Sequence, residues 1–204
     1  MIFTVAIDGP AASGKGTIAK ALAQELGFGH LDTGLLYRAV AVKSLDGEDP
    51  VQVAQGLDPG RLDSPRLRHA DVAQEASRVA AIPAVRMALL DLQKAFARRE
   101  GGAVMDGRDI GTVICPEAEA KLFVTASAEA RAGRRFRELV ENGQDATLER
   151  TLAEVVARDA RDAGRDVAPL RPAGDAVVID TSGMGIDEAV AVARRVVRDR
   201  LAGR

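Results

Sequence analysis

Phosphate binding is the first chemistry that the sequence suggests. Residues 9–17, GPAASGKGT, follow an apolar stretch that ends at Asp8 and precede a helical pattern. Glycines at both ends of such a loop let backbone N–H groups point inward, where they and the helix N-terminus attract phosphate. Lys15 stands where a lysine reaches the outer phosphates. Gly16 replaces the usual magnesium-binding hydroxyl and Thr17 follows one position late, so the site is either damaged or adapted to a particular phosphate chemistry.

Two further polar groups follow predicted strands. The stretch LDTGLLYR places Thr33 at a strand end and Arg38 about one helical turn later. The stretch DGRDIG places three charged residues, Asp106, Arg108 and Asp109, after another apolar run. Open α/β sheets bind ligands at this edge, although turns also collect Asp and Gly, and a lone arginine is more often an exposed helix charge. The combination favours a binding site.

A stripe of charge lies on one predicted helix. Arg158, Arg161, Asp162 and Arg165 are spaced i, i+3, i+4 and i+7, which puts them on one helical face. Considered alone, they indicate a solvated face with an Arg158–Asp162 pair worth ~0.2–0.5 kcal/mol. Beside a phosphate loop, the same spacing indicates that the arginines are the cations that close over the phosphates during transfer.

The elements that must position these residues alternate between strand and helix. The first and last strand candidates are continuous apolar runs, which is typical of strands covered on both faces. The predicted strands are 2–8, 29–32, 103–106, 120–126 and 176–180. The first helix pattern carries Ile18, Leu22 and Leu26 and stops at Gly27; the others are 34–45, 69–81, 83–100, 128–142, 147–163 and 187–201. This order predicts an α/β fold with a five-stranded parallel sheet flanked by helices.

Composition excludes several classes of function. The 204 residues are 47% hydrophobic, enough for a core, and their net charge of −2 gives no global attraction to nucleic acid or membrane. Cys115 is the single cysteine, and His30 and His69 lack metal-ligand spacing. We find no basic region before the N-terminal apolar run and no apolar stretch near the ~20 residues that span a bilayer. We therefore expect a soluble, cytoplasmic protein.

Four strings, together with the phosphate loop, resemble the bacterial cytidylate kinase family. LDTGLLYR, then SRVAAIPAVR, then DGRDIG, then RDARDAGRDVAPL occur in the family's order. The resemblance extends from Val5 to about Asp180. It implies ATP-dependent phosphorylation of CMP and dCMP. The implied architecture is a P-loop kinase core with a helical lid and an acceptor-binding insertion, which is shorter here than in many members.

The resemblance also implies roles for individual residues. Lys15, Arg158 and Arg165 would be catalytic. ATP would contact Gly9, Pro10, Ala11, Ala12, Ser13, Gly14, Lys15, Gly16, Thr17 and Arg134. CMP would contact Thr33, Arg38, Ser77, Arg86, Asp106, Arg108, Asp109, Arg158, Asp162 and Arg165. Mg²⁺ would accompany ATP, held by phosphates and water with no assigned protein ligand; Asp106, Asp8 and Asp32 compete to orient it.

The same resemblance predicts one domain, 1–204, which acts as a monomer. Its core would comprise residues 1–45, 100–127 and 173–204, its acceptor-binding segment 46–99, and its lid 128–172. Residues 46–68 are rich in Gly, Pro and Asp and predict an irregular insertion.

Three alternatives remain open from the sequence. A kinase that prefers UMP or AMP would share the loop, and so would a shikimate-type kinase, although the latter would lack the set Ser77, Arg86 and Asp109. A non-catalytic nucleotide sensor would bind both nucleotides without transfer. The absence of an N-K-x-D string counts against a GTPase.

Overall fold

A central β-sheet carries the residues that the sequence singled out. The computed structural model describes residues 1–59, 62 and 64–203. Its strands are β1 (Thr4–Asp8), β2 (Gly29–Asp32), β3 (Ala103–Gly107), β4 (Ala120–Thr125) and β5 (Val177–Asp180). They form one sheet in the order β2-β3-β1-β4-β5. β1 pairs in parallel with β3 and with β4, and β4 pairs in parallel with β5. The predicted parallel α/β sheet is confirmed.

The inner strands β1 and β3 are mostly apolar, with Asp8 and Asp106 as their charged residues, whereas the edge strand β5 is partly exposed. Every residue of β1 and β3 is buried. One hydrophobic core joins β1, β3, β4 and β5 to two helices, α1 (Lys15–Leu26) and α8 (Ile186–Ala202). Continuous apolar runs are what parallel strands need when both faces are covered.

The remaining helices largely follow the predicted ones. They are α2 (Thr33–Leu45), α3 (Pro50–Gln55), α4 (Ala70–Val79), α5 (Pro83–Ala97), α6 (Ala128–Glu141) and α7 (Leu148–Ala163). Side chains cap several of them: Ser127 accepts from the N–H of Ala130 at the start of α6, and Thr147 accepts from the N–H of Arg150 at the start of α7. Such caps satisfy N–H groups that the first helical turn leaves without a backbone partner.

The insertion is more regular than its composition predicts. Residues 46–68 contain α3 and a short 3-10 helix, Pro65–Arg68. The side chain of Asp49 accepts from the N–H groups of Val51 and Gln52, at 3.0 and 2.9 Å, and Pro50 occupies the first helical position. A capping aspartate followed by proline starts a helix even where glycines surround it. Residues 60, 61 and 63 of this predicted insertion lie outside the described residues.

The chain divides into two compact units. The first comprises residues 1–31 together with the chain from Lys94 onward, and it holds the sheet, α1, α6, α7 and α8. The second, Asp32–Gln93, holds α2, α3, α4 and the first part of α5. In the second unit α2 packs on α4 and on α3. The functional boundaries within a single kinase domain stay a prediction.

No helix among the described residues combines the length and the apolar character that crossing a membrane requires.

Candidate active site

The phosphate loop is shaped by its glycines. A Cβ at Gly9 would overlap the carbonyl oxygen of Val124 in β4, so only glycine fits there. Gly14 has a φ of 91° and forms the N-cap of α1, which begins at Lys15. Both positions use freedom that other residues lack. The loop therefore bends tightly between β1 and the N-terminus of α1, the geometry that attracts phosphate.

Two polar side chains of the loop lie where a ligand could contact them. The Oγ of Ser13 is fully buried and has no hydrogen-bond partner among the described residues. The Nζ of Lys15 lies 3.5 Å from the carbonyl oxygen of Pro10, at the outer limit of a hydrogen bond. An orphaned buried hydroxyl is costly unless something binds it, so the loop fits an anionic ligand.

The carboxylate of Asp106 lies beside the position where the usual hydroxyl is missing. A Cβ built on Gly16 would lie 3.7 Å from Oδ2 of Asp106. The other oxygen of this buried carboxylate, Oδ1, is 2.9 Å from Nε2 of His30. Gly16 thus leaves room next to a carboxylate that a histidine from β2 holds in place.

Asp8 is engaged differently. Its Oδ1 accepts from the N–H of Ile110 and its Oδ2 from the N–H of Gly111, both at 2.8 Å. Burial raises the pKa of Asp8 to about 7, although the two backbone N–H groups act in the opposite direction. The carboxyl group ties the end of β1 to the turn that follows Asp109. Asp32, the third candidate, accepts from the N–H of Gly34 at 2.9 Å and caps α2.

Three predicted acceptor arginines meet around the carboxylate of a fourth predicted acceptor residue, Asp162; we call the four the arginine cluster (Arg108, Arg158, Asp162 and Arg165). Nε of Arg108 lies 2.9 Å from Oδ2 of Asp162, and Nη2 of Arg165 lies 2.6 Å from Oδ1. Nε of Arg158 is 3.8 Å from Oδ2. The i, i+4 pair that a solvated helix face would show is present, but Arg108 from the β3 edge makes the closer contact.

The arginine cluster carries excess positive charge in a buried place. Burial acts to raise the pKa of Asp162, yet the charges of Arg108, Arg158 and Arg165 outweigh it and lower the pKa to about 2. The aspartate is 1% exposed, so the interaction is weakly screened. Three guanidinium groups contact one carboxylate, so these four side chains have a formal net charge of +2, which suits a phosphate ligand.

A cavity of about 300 Å³ adjoins the phosphate loop. Arg134 lies at its wall: Nη1 donates to Thr181 Oγ1 at 3.0 Å and to the carbonyl oxygen of Ser13 at 3.3 Å. The other lining residues come from α1, α6 and the start of α8: Gly14, Thr17, Ile18, Arg137, Met184, Gly185, Ile186 and Ala189. The mixture of guanidinium groups and apolar side chains suits a flat ring that stacks and is edged by polar groups.

The second unit holds four further predicted acceptor residues: Thr33, Arg38, Ser77 and Arg86. Arg38 Nη1 donates to the carbonyl oxygen of Leu67 at 2.7 Å, and Thr33 is buried at the start of α2. Ser77 and Arg86 are 3% and 8% exposed, on α4 and α5. Arg86 Nη1 lies 3.4 Å from both the carbonyl oxygen of Ala80 and the phenol oxygen of Tyr37.

Asp109 belongs to the first unit, where it is 5% exposed and begins a π-helical turn at Ile110–Ile114. Among the described residues, no three His, Cys, Asp or Glu side chains group as a metal site would require.

Sequence reasoning missed three side chains of this region. His30 holds Asp106, Thr181 donates from Oγ1 to the carbonyl oxygen of Ser13 at 2.8 Å, and Arg131 contacts the carbonyl oxygen of Ala11. Thr181 follows the last strand, in the string IDTSG, and a polar residue at a strand end could have drawn notice. His30 and Arg131 carry no local signal.

Comparison with solved structures supports the fold. A protein from Eubacterium ventriosum shares it with a TM-score of 0.58 at 15% identity, over 96% of this chain and 98% of that one. The protein TT1252 from Thermus thermophilus shares it with a TM-score of 0.50 at 22% identity, over 98% and 97%.

Proteins found by sequence comparison are more similar to this chain than these solved structures are. A cytidylate kinase from Cereibacter sphaeroides is 60% identical over 93% of this chain and 92% of its own length. One from Xanthobacter autotrophicus is 55% identical over 98% and 99%. One from Caulobacter vibrioides is 54% identical over 98% and 97%. A family model described as cytidylate kinase matches residues 5–59 and 59–199. With a phosphate loop and an arginine cluster in place, this chain belongs to the cytidylate kinase family.

Proposed function

We propose that this protein transfers the γ-phosphoryl group of ATP to CMP and to dCMP. The observation that carries the proposal is the occurrence, in one compact unit, of the phosphate loop and the arginine cluster. Gly107 is in register with Asp8, so Arg108 and the phosphate loop leave the same edge of the sheet on neighbouring strands. A donor site and a concentration of cations at one edge suit transfer between two phosphates.

ATP is the donor in this proposal. Its phosphates would bind the backbone of residues 9–17 and Lys15, and its adenine would enter the cavity beside Arg134. The contacts of Arg134 with Thr181 and Ser13 support this assignment, because they hold the guanidinium group at the cavity wall. A base stacks favourably on such a planar cation.

Cytosine recognition is assigned to Ser77, Arg86 and Asp109. Cytosine offers an amino donor at N4 beside acceptors at N3 and O2, so a carboxylate can accept from N4 while the serine and the arginine donate. Uracil presents an acceptor at position 4 instead, which would leave the carboxylate unsatisfied. Burial of all three side chains supports strong discrimination, because unpaired buried polar groups are costly.

The transfer step needs no general base. The attacking phosphate oxygen of CMP is already anionic at neutral pH, so the residues have to position the two nucleotides and neutralise charge. Lys15 and the arginines at 158 and 165 would stabilise the charge that develops on the transferring group. Arg38 and Arg108 would hold the acceptor phosphate, and Asp162 would exchange its arginine partners for the sugar hydroxyls.

The residues fit Mg²⁺ that is held largely by nucleotide phosphates and water. Asp106 beside Gly16 supplies one carboxylate, and this cation typically takes one or two carboxylates and keeps several waters. Bound there, the cation would neutralise charge on the donor phosphates. Both oxygens of Asp8 accept backbone N–H groups and Asp32 caps a helix, so we assign the orienting role to Asp106.

The experiment that tests the proposal measures ADP formation with CMP, dCMP, UMP and AMP as separate acceptors. We expect CMP and dCMP to support turnover and UMP and AMP to support little. Lys15→Met should abolish transfer, whereas Lys20→Met, an exposed lysine on the same helix, should preserve it.

Comparable rates with UMP and CMP would contradict the acceptor assignment. Binding of ATP and CMP without ADP formation would contradict catalysis and indicate a nucleotide sensor. The expected monomer is checked by light scattering at assay concentration, and the expected cytoplasmic location by fractionation.

A further inference from the structure

A single arginine joins three segments of the first unit. Arg131, in the first turn of α6, is 4% exposed. Its Nε donates to the carbonyl oxygen of Ala126 at 2.9 Å, just after β4, and its Nη1 donates to the carbonyl oxygen of Ala11 at 3.3 Å, in the phosphate loop. Its two terminal nitrogens lie 3.0 and 2.5 Å from the two oxygens of Asp159 on α7.

The contact with Asp159 is bidentate. A guanidinium group presents parallel N–H groups in a fixed fork that matches both oxygens of a carboxylate, which a lysine cannot do. Because the side chain of Arg131 is buried and that of Asp159 is 31% exposed, removing Asp159 would leave a poorly solvated charge on the guanidinium group. Two parallel contacts therefore fix the orientation of α7 as well as its distance from Arg131.

What Arg131 holds in place are two parts of the proposed active site. Asp159 directly follows Arg158 and precedes Asp162 by less than one helical turn, so its position sets that of the arginine cluster. Ala11 precedes Ala12, which has a φ of 58°, a conformation that a non-glycine residue keeps only when its surroundings enforce it. One side chain thus fixes both the donor loop and the helix that supplies cations.

We propose that Arg131 and Asp159 form a positioning pair that sets the arginine cluster relative to the phosphate loop. The proposal rests on the proposed phosphoryl transfer. The pair acts through other residues: in-line transfer depends on the geometry of the two sites, and a misplacement of about 1 Å costs on the order of 10²-fold in rate. Each site by itself keeps its own ligand contacts, so nucleotide affinity changes much less than turnover.

The test is a double-mutant cycle with Arg131→Lys, Asp159→Asn and the combined variant. We expect each single change to lower kcat by about 10- to 100-fold, while KM for ATP and for CMP stays within about threefold. The combined variant should lose no more than the worse single one, because both changes remove the same contact. A matched control uses Arg150→Lys and Glu154→Gln, a pair on α7 that is 4.0 Å apart and whose side chains are 53% and 39% exposed; it should leave kcat unchanged.

A purely structural role gives a different result. If Arg131→Lys and Asp159→Asn lower the melting temperature but the folded enzyme keeps its kcat, the proposal is wrong. Additive losses in the combined variant would also overturn it.

A second readout does not depend on activity. Amide hydrogen exchange is measured over residues 11–17 in wild type and in Asp159→Asn. The substitution on α7 should speed exchange in the phosphate loop, because Arg131 loses the partner that keeps it against Ala11. Unchanged exchange there would contradict the proposed role of Arg131 and Asp159, whatever the activity assays show. Faster exchange in a protein that lacks activity would support the pair and reject the proposed function.

Discussion

Asp8 and Asp162 are both almost fully buried, yet their surroundings give them opposite properties. The oxygens of Asp8 accept backbone N–H groups of the turn after β3, and burial raises its pKa to about 7. The oxygens of Asp162 contact guanidinium groups, and its pKa falls to about 2. Backbone dipoles offset only part of the cost of burying a charge, whereas full positive charges more than offset it.

The difference matches the role that we propose for each residue. The partners of Asp8 are backbone groups, which keep their places, so this carboxyl braces the turn next to Arg108 and Asp109. The partners of Asp162 are long side chains, which can move to a phosphate when one arrives. One aspartate is suited to holding structure and the other to exchanging ligands.

Removing the charge of Asp162 should have the largest effect. In Asp162→Asn three guanidinium groups lose their shared counter-charge and repel one another. We expect kcat/KM for CMP to fall by about 10²- to 10³-fold and the free energy of unfolding to fall by about 3 kcal/mol. A coupled ADP assay and urea unfolding measure the two. Asp199→Asn, an exposed aspartate on α8, is the control, and an unchanged kcat/KM in Asp162→Asn would contradict the role given to the cluster.

Removing one cation instead of the shared anion should have the next largest effect. We expect Arg165→Met to lower kcat by about 10²-fold, because its charge is needed mainly in the transition state. The far-ultraviolet circular dichroism spectrum should stay that of wild type. Near-normal turnover would remove Arg165 from the catalytic residues.

A smaller effect is expected at the other aspartate. Asp8→Asn replaces one acceptor oxygen with an NH₂ group, so the N–H of Ile110 or of Gly111 loses its partner. The cost should be about 1–3 kcal/mol of stability, with a modest rise in KM for CMP as the turn at 108–111 loosens. Thermal unfolding and a CMP titration measure these changes. A loss of activity as large as that of Asp162→Asn would contradict the structural role that we assign to Asp8.

The smallest expected effect is a difference in how stability depends on pH. The pKa of Asp8 is raised in the folded protein, so its contribution is fully present below about pH 3.8 and is lost as pH rises through about 7. The pKa of Asp162 is lowered, so its contribution is present above about pH 3.8 and is lost as pH falls toward about 2. We measure the free energy of unfolding in urea from pH 3 to 8. As pH rises, the free energy of unfolding of wild type should fall relative to that of Asp8→Asn. The same slope in both proteins would contradict the raised pKa.

The strands and most helices followed from local sequence. The strand predicted at 29–32 matches β2, and Gly27, expected to stop the first helix, has the left-handed conformation of a C-terminal cap. Helix α3 was not predicted. Asp49 and Pro50 are typical of a helix start, but the surrounding glycines and prolines favoured an irregular segment. Local backbone preferences are short-range, so the sequence displays them directly.

The sequence also predicted the types of chemical group in the site. A glycine-flanked lysine after an apolar strand predicts a phosphate loop, and arginines spaced by helical turns predict one charged face. The sequence, however, favoured Asp106 only weakly for orienting magnesium and left Asp8 and Asp32 as rivals. It likewise showed the pair Arg158–Asp162 without indicating that Arg108 would be closer.

Tertiary structure supplies the contacts that bear on both questions, because these contacts join residues far apart in the chain. Arg108 reaches Asp162 across 54 positions, and Asp8 meets Ile110 across 102. Local sequence carries no record of such pairings, since they follow from which strands are neighbours in the sheet. The sequence thus determined the kinds of groups and the elements that bear them. The fold decided which carboxyl group contacts arginines, which one accepts backbone N–H groups of a turn, and which arginine contacts both the phosphate loop and α7.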